Sequence, residues 1–364
     1  MKKLDKYILG KYFSTFFFCL LLFTAIVVVV DISEKTDDFS KSGLSVAQLI
    51  RDYYFGFVPR IVAMLFPLFI FISVIFFTSK MAGRSEIVAI LSSGVSYKRL
   101  LLPFFLGGLF FTSLLWLGYQ YAIPLANRKW SQFEKKYIDV NMAPTANSTT
   151  YKQNIYFRID PQTYASIKGY DTISKSGSNF SLHRFGNNKM VYNMRAVNFR
   201  WDSTKRKWSF FNVLERNLSD STEKVDYYPS KEISVNIRPV DLRKDTYLKD
   251  EMTTHELVEF ITLEKMRGSE LLSTLQVERY NRDAIPVSVL ILTLIGAILA
   301  SRKTRGGSGF HLALGVLISM GYILFSRFSV VFATKGNLSP LLASWTPNIL
   351  FFVLVVYLYR TAPK

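Results

Sequence analysis

Six long apolar runs alternate with polar segments along this chain, at about 10–31, 57–79, 100–126, 284–301, 308–334 and 338–359. Each is long enough to cross a hydrocarbon layer about 30 Å thick as a helix. Three precede a polar stretch of about 150 residues and three follow it. The first run, Tyr12 to Val30, follows Lys2, Lys3, Lys6 and Lys11, as a secretory signal would. Its length and the lack of an obvious small-residue cleavage site favour a retained helix. The sequence therefore predicts a membrane α-helical protein, three plus three spans, with an inserted β domain.

The central insertion changes period. Tyr151, Ile155, Phe157 and Ile159 alternate with Lys152, Asn154 and Arg158, the pattern of a half-buried strand. The run from Lys189 to Trp201 breaks at Asp202-Ser-Thr-Lys-Arg206 and resumes at Trp208, which predicts a hairpin with a longer loop. Further short runs near 232–240 leave a sandwich, a jelly roll or a half-open barrel open. Thr253-Thr-His-Glu256 is a capping-box signature that opens a helix at Leu257. A second helix through Glu278 and Arg282, one turn apart, leads past Pro286 into the fourth span. The expected divisions are 1–127 (spans one to three), 128–252 (β domain), 253–283 (helical connector) and 284–364 (spans four to six).

Composition adjusts this picture in two ways. A mean hydropathy of +0.18 and 31 phenylalanines exclude an ordinary soluble domain. A formal net charge of +18 would suggest nucleic acid in a soluble protein, but the Lys and Arg here flank the spans. Lysine and arginine enrich the N-terminus, the loops 80–99 and 302–305, and the tail at Arg360 and Lys364. The loop 31–52 carries Asp31, Glu34, Asp37, Asp38 and Asp52 instead. The positive-inside rule then puts both termini in the cytosol and the insertion on the far side. Cys19 is the single cysteine, so no intrachain disulfide can form.

Candidate chemistry is sparse. No phosphate-binding glycine loop, His-Glu-x-x-His pair or Gly-x-Ser-x-Gly elbow is present, and His183, His255 and His311 are scattered, without the spacing of a metal site. The loop 80–99 is the exception. Ser85 is a candidate N-cap, Glu86 suits the positive end of a helix, Ile87, Ile90 and Leu91 share one face, and Gly94 is a natural stop. This predicts a short helix over 85–93, either a knob for a cytosolic partner or an ordinary solvated loop. Arg60 and Arg327 lie in or beside apolar runs; they either pair with acids such as Asp31 or Glu34, or meet an anionic headgroup. Glu278 and Arg282 read as a tether. Phe16, Phe17, Phe18, Leu20 and Phe23 in span one, with Leu314, Leu317, Ile318, Tyr322 and Phe325 in span five, face lipid or helices, or line a cavity for acyl chains.

The set Val58-Pro59-Arg60, Phe66-Pro67, Arg84-Ser85-Glu86-Ile87-Val88-Ala89, Ser93-Gly94 and Glu278…Arg282…Pro286 resembles the lipopolysaccharide export permeases of the LptF/LptG family. The likeness extends over the three-plus-three layout, the insertion and the Trp208 hairpin. It implies an inner-membrane permease, not an enzyme, paired with a second LptF/LptG-type chain or with itself. It implies an LptB-type ATPase holding the ATP and magnesium, with no cofactor in this chain. Glu86 falls on the family's acidic coupling residue, with Arg84, Ser85, Ile87, Ile90 and Leu91 beside it. The insertion becomes a periplasmic β-jellyroll continuing into LptC and LptA-type jellyrolls. Lipopolysaccharide would enter between span one of one subunit and span five of the other, near Phe16, Phe23, Leu314, Ile318 and Tyr322. One departure is that the outer end of span one keeps only Lys35 among Asp31, Glu34, Asp37 and Asp38, so either Lys35, Arg60 and Arg327 meet the phosphates, or the substrate has fewer of them, or a divalent cation bridges the charges. The rival readings are a permease of another ABC-type lipid or lipoprotein exporter and a non-transporting scaffold.

With Cys19 replaced by alanine, a cysteine at Ser203 should react with a membrane-impermeant maleimide from outside the membrane. A cysteine at Ser92 should react only once the membrane is opened.

Overall fold

A computed structural model describes residues 3–138, 150–151, 155–171, 174–187, 189–218, 222–233, 235, 239–242, 248–269, 271–302 and 307–362. Of the residues used above, Lys2, Lys152, Asn154, Lys303, Arg305 and Lys364 lie outside these. The chain forms two units: residues 1–137, 249–257 and 273–364, and residues 138–248 and 258–272.

The first unit is helical. It contains α1 (Lys3–Ser42), α2 (Val46–Leu49), α3 (Phe55–Gly83), α4 (Glu86–Ser92), α5 (Tyr97–Leu117) and α6 (Ile123–Phe133). After the second unit come α9 (Leu272–Ala300), α10 (Gly307–Lys335) and α11 (Pro340–Thr361). The six predicted spans are all present as helices long and apolar enough to cross a membrane. Their interior prolines (Pro59, Pro67, Pro103, Pro286 and Pro347) are tolerated because neighbouring helices can re-satisfy the freed backbone. The core joins Tyr12 and Phe16 of α1 with Phe66, Phe71 and Val74 of α3, Phe111 of α5, and Leu292 and Ile295 of α9. Small residues set the closest approaches: a Cβ on Gly56 would come within 2.6 Å of the Trp130 backbone nitrogen, so α3 and α6 meet backbone to backbone.

One expectation is corrected here. The stretch 31–52 is mostly helical, not a loop. α1 continues to Ser42 and ends at Gly43 with φ +66°. Ser45 and Gln48 then form a capping box on α2, and a π-helical turn, Ile50–Tyr54, leads into α3. The helix persists because its charges find partners: Tyr53 and Tyr54 hydroxyls donate to Asp31, and Lys35 bonds Tyr53 and Glu134.

The second unit holds one antiparallel seven-stranded sheet: β1 (Thr150–Tyr151), β2 (Ile155–Asp160), β3 (Thr163–Asp171), β4 (Ser176–Gly186), β5 (Lys189–Asp202), β6 (Lys207–Leu218) and β7 (Glu223–Ile233). Strands β3 to β7 follow in sequence order, and β1 and β2 share the outer edge of β3. The predicted hairpin is present. Trp201 pairs with Trp208, and the Asp202 carboxylate accepts from the Thr204 and Lys205 amides in the turn. In sequence the sheet is followed by α7 (Leu248–Glu251) and α8 (Thr254–Arg267). The capping box on α8 is formed: Thr253 and Glu256 each bond the other's backbone nitrogen, at 3.4 and 2.8 Å.

Strict alternation fails in the middle of these strands. Buried positions step by two, then by three, from Ala196 to Phe199 in β5 and from Phe210 to Val213 in β6, while in β3 the buried Gly169 and Tyr170 are adjacent. The slips line up. Lys168, Asn179, Val197, Asn212 and Pro229 form a row skipped by the pairing of each adjacent strand. Asn179 and Asn212 sit in the left-handed region, both with φ +52°, where asparagine is the cheapest residue with a side chain. Residues on both sides of this crease share one core, with Phe180 4.6 Å from Phe210 and 5.7 Å from Phe199.

Asn179→Gly should leave stability nearly unchanged, while Asn179→Val should cost about 1–2 kcal/mol. Thermal unfolding followed by tryptophan emission checks this.

Candidate functional site

Helix α4 is the short helix expected over 85–93. Ser85 holds the cap position with φ +61° but its side chain makes no capping bond, unlike the predicted N-cap. That left-handed residue lets the chain turn from α3 into α4 within two residues. Isolated, two turns of helix would be marginal in water, so α4 needs a surface. It lies on its own bundle: Ile87 is 3% exposed, and Ile90 and Leu91 pack against the same core. Arg84, Val88, Ala89 and Ser92 are left exposed on its other side.

Glu86 is drawn toward α1. Its Oε2 accepts from the Tyr7 hydroxyl at 2.8 Å and from Lys11 Nζ at 3.0 Å, and Lys11 lies 4.2 Å above the Tyr7 ring. Partial burial pulls the Glu86 carboxyl up, but the Tyr7 hydroxyl and the Lys11 ammonium outweigh it and hold the group below its ordinary value. The pair therefore adds stability at neutral pH and loses it as pH falls through that lowered value. Nearby, Arg99 of α5 reaches Asp5 of α1 at 2.8 Å. Sequence reasoning missed Tyr7, Lys11, Asp5 and Arg99. The four-residue spacing of Tyr7 and Lys11 was visible, but a partner 75 residues away was not.

The far end of α1 is a second polar cluster. Asp31 is 6% exposed and accepts from Tyr53 and Tyr54 at 2.9 and 3.0 Å. Lys35 is tied to Glu134 and to Tyr53. Rings of Phe39, Phe57 and Phe133 pack around Tyr53. The Arg60 guanidinium lies 3.7 Å above the Trp130 ring, a cation–π contact.

Arg282 is, with Asp5, among the most deeply buried charges of the described residues, 2% exposed. It reaches Glu278 at 3.6 Å, the Lys249 carbonyl at 2.9 Å and the Thr254 hydroxyl at 3.2 Å. Lys249 lies 3.5 Å from both Glu278 and Asp250. Burial and the Glu278 charge push the Asp250 carboxyl above its ordinary value. From α6 and the turn after it, Asn127 and Arg128 donate to the carbonyls of Asp250 and Glu251, and Ser131 and Lys135 to the Glu251 carboxylate. Segment 249–254 is thereby clasped between α6 and α9, one turn ahead of the buried Pro286.

The remaining candidates are dispersed. Phe16 is 1% exposed, among Phe66 and Phe111 at 5.1 and 4.5 Å. Phe23 is half-buried and stacks on Phe69. Leu314 and Ile318 are half-buried on α10. Tyr322 is buried, donating to Asn348 at 3.0 Å and meeting Phe351 edge-on. Arg327 is exposed on α10. In the β unit, the space between Ile167, Phe180, Phe199, Trp208, Phe210, Val235 and Leu242 leaves no room for a water molecule. The opposite face carries an open groove of about 430 Å³ that includes Lys168, Arg195 and Tyr156. Among the described residues, no group of three or more His, Cys, Asp or Glu could hold a metal ion.

Arg282→Met should cost about 3–5 kcal/mol, since it strips the clasp of its buried cation. Arg282→Lys should recover only part of this, lacking the planar fork. Thermal unfolding in detergent reads both.

Comparison with known proteins gives one result that covers the chain. The family model described as Lipopolysaccharide export system permease LptF/LptG matches residues 6–361. No curated protein matches.

Proposed function

We propose, because the chain belongs to the lipopolysaccharide export permease family LptF/LptG, that it is a transmembrane subunit of an ATP-driven machine lifting lipopolysaccharide out of the inner membrane. The family is one of transport permeases, not enzymes, and the six spanning helices make this chain a multi-pass membrane protein. The motor in this reading is an LptB-type ATPase in the cytosol, and the second half of the pathway is a second LptF/LptG-type chain.

The observation that carries the reading is α4. It is seated on the bundle through Ile87, Ile90 and Leu91 and offers Arg84, Val88, Ala89 and Ser92 outward. A partner that grips this open face can push α4 without having to fold it. The apolar residues named as lipopolysaccharide contacts divide between roles. Phe16 and Tyr322 belong to the packed bundle, whereas Phe23, Leu314 and Ile318 keep surface for acyl chains. For the phosphates, Arg327 is the more accessible cation, and a phosphate reaching Lys35 would displace Glu134. With the insertion in the periplasm, the aromatic face around Phe180, Phe199 and Phe210 supplies the surface acyl chains would meet on leaving the membrane, after its side chains part. Strand addition at the sheet edges suits a junction with LptC or LptA-type jellyrolls.

Purification from native membranes tests the proposal. The chain should bring down an ATPase subunit and a second permease, and vesicles containing that complex should release lipopolysaccharide only with ATP. Val88→Glu should weaken retention of the ATPase about tenfold, the size of effect expected from one contact near an interface centre. ATP turnover by the chain alone, or release without nucleotide, would overturn it.

A further inference from the structure

We infer that Tyr7 and Lys11 are positioning residues through which helix α4 moves helix α1, with Glu86 as the link between the two helices. This rests on the functional reading above and concerns where the force on α4 goes next.

Glu86 is turned toward α1. Its Oε2 takes both the Tyr7 hydroxyl and Lys11 Nζ, its Oε1 lies 3.4 Å from the same ammonium, and a quarter of the side chain remains exposed. Lys11 is held in place by the Tyr7 ring beneath it. The exposed face of α4 is a different one, with Val88 51% exposed and turned away from the buried Ile87. A push received on the Val88 face would be delivered through the Glu86 face, and what Glu86 holds is α1.

α1 is suited to carry that push. It is one unbroken helix of 40 residues, a rod of about 60 Å. Its middle is loosely held: Phe17, Phe18, Leu21, Ile26, Val29 and Val30 are exposed. Polar ties gather at its ends and at Tyr12, whose hydroxyl meets Thr293 at 2.8 Å. Ile8, Tyr12 and Phe16 seat this end of α1 in the bundle core, so a shift of the Tyr7–Lys11 turn carries them with it along the rod toward Asp31 and Lys35, where α1 meets the π-helical turn and Glu134. A rigid element with discrete polar contacts at both ends is the physical requirement for such coupling.

Charge exchange tests this in the intact complex in vesicles, reading ATP-dependent lipopolysaccharide release and retention of the ATPase together. Glu86→Lys and Lys11→Glu alone should each lower release about tenfold, and the two combined should recover most of it, as expected for a directly coupled pair. Tyr7→Phe should lower release less than either. If the single exchanges do not fold, Glu86→Gln with Lys11→Met serves instead: the double variant should be no worse than the weaker single. A double exchange no better than Glu86→Lys alone, or neutral variants whose losses multiply, would overturn the inference. Absence of the ATPase from the wild-type complex would overturn the functional reading itself, with the inference falling alongside it.

Discussion

A charge inside a membrane bundle must be partnered, because stranding it in hydrocarbon costs at least about 3 kcal/mol. The helical unit is arranged around that requirement. Arg282 is enclosed by Glu278, the Lys249 carbonyl and Thr254; Asp31 by two tyrosine hydroxyls; Lys35 by Glu134 and Tyr53. Each solution fixes the path of a segment with little apolar content of its own. Segment 249–254 has few apolar residues to bury, yet Asn127, Arg128 and Ser131 of α6, Lys135 just beyond it, and Glu278 and Arg282 of α9 hold it. The acidic stretch after Val30 stays helical for the same reason.

The β unit meets a different constraint. A sheet with one apolar face ordinarily keeps a period of two along each strand. Here that period slips once per strand, on one row, and the slip places Phe180 and Leu182 in the same core as Phe199 and Trp208. Two left-handed asparagines make the step cheap, and pairing resumes because neighbouring strands skip a residue together. The resulting core is filled by rings.

Much of this was legible from residue pattern. Length and hydropathy sufficed for the six spans, because a membrane helix is specified locally. The Trp201–Trp208 hairpin and the Thr253–Glu256 capping box were visible for the same reason: every atom involved lies within a few residues. The strand phase slip was not, since a three-residue step reads as the end of a strand when its neighbours are unknown. Likewise Ser85 looked like an ordinary cap, whereas its backbone serves the turn. Glu86 and Arg60 could be singled out as unusual, but their partners Lys11 and Trp130 lie 75 and 70 residues away in sequence. Only packing brings them together, and no periodicity encodes it.

The polar contacts differ in how firmly they hold, and the difference has a direction. Arg282 is 2% exposed and surrounded on several sides; breaking such a site strands a charge, so it behaves as a permanent joint. Lys11 and Glu86 keep 30% and 25% of their side chains exposed. Water can replace either partner there, so the contact is worth little in net stability and can be broken and remade. Lys35 and Glu134 fall between, at 22% and 11%. Of these three, the Lys11–Glu86 contact on α1 thus exchanges most readily, while the clasp at α9 is the one that resists. Burial thus separates a fixed clasp at α9 from an exchangeable tie on α1, the helix whose apolar middle is open to lipid or to another chain.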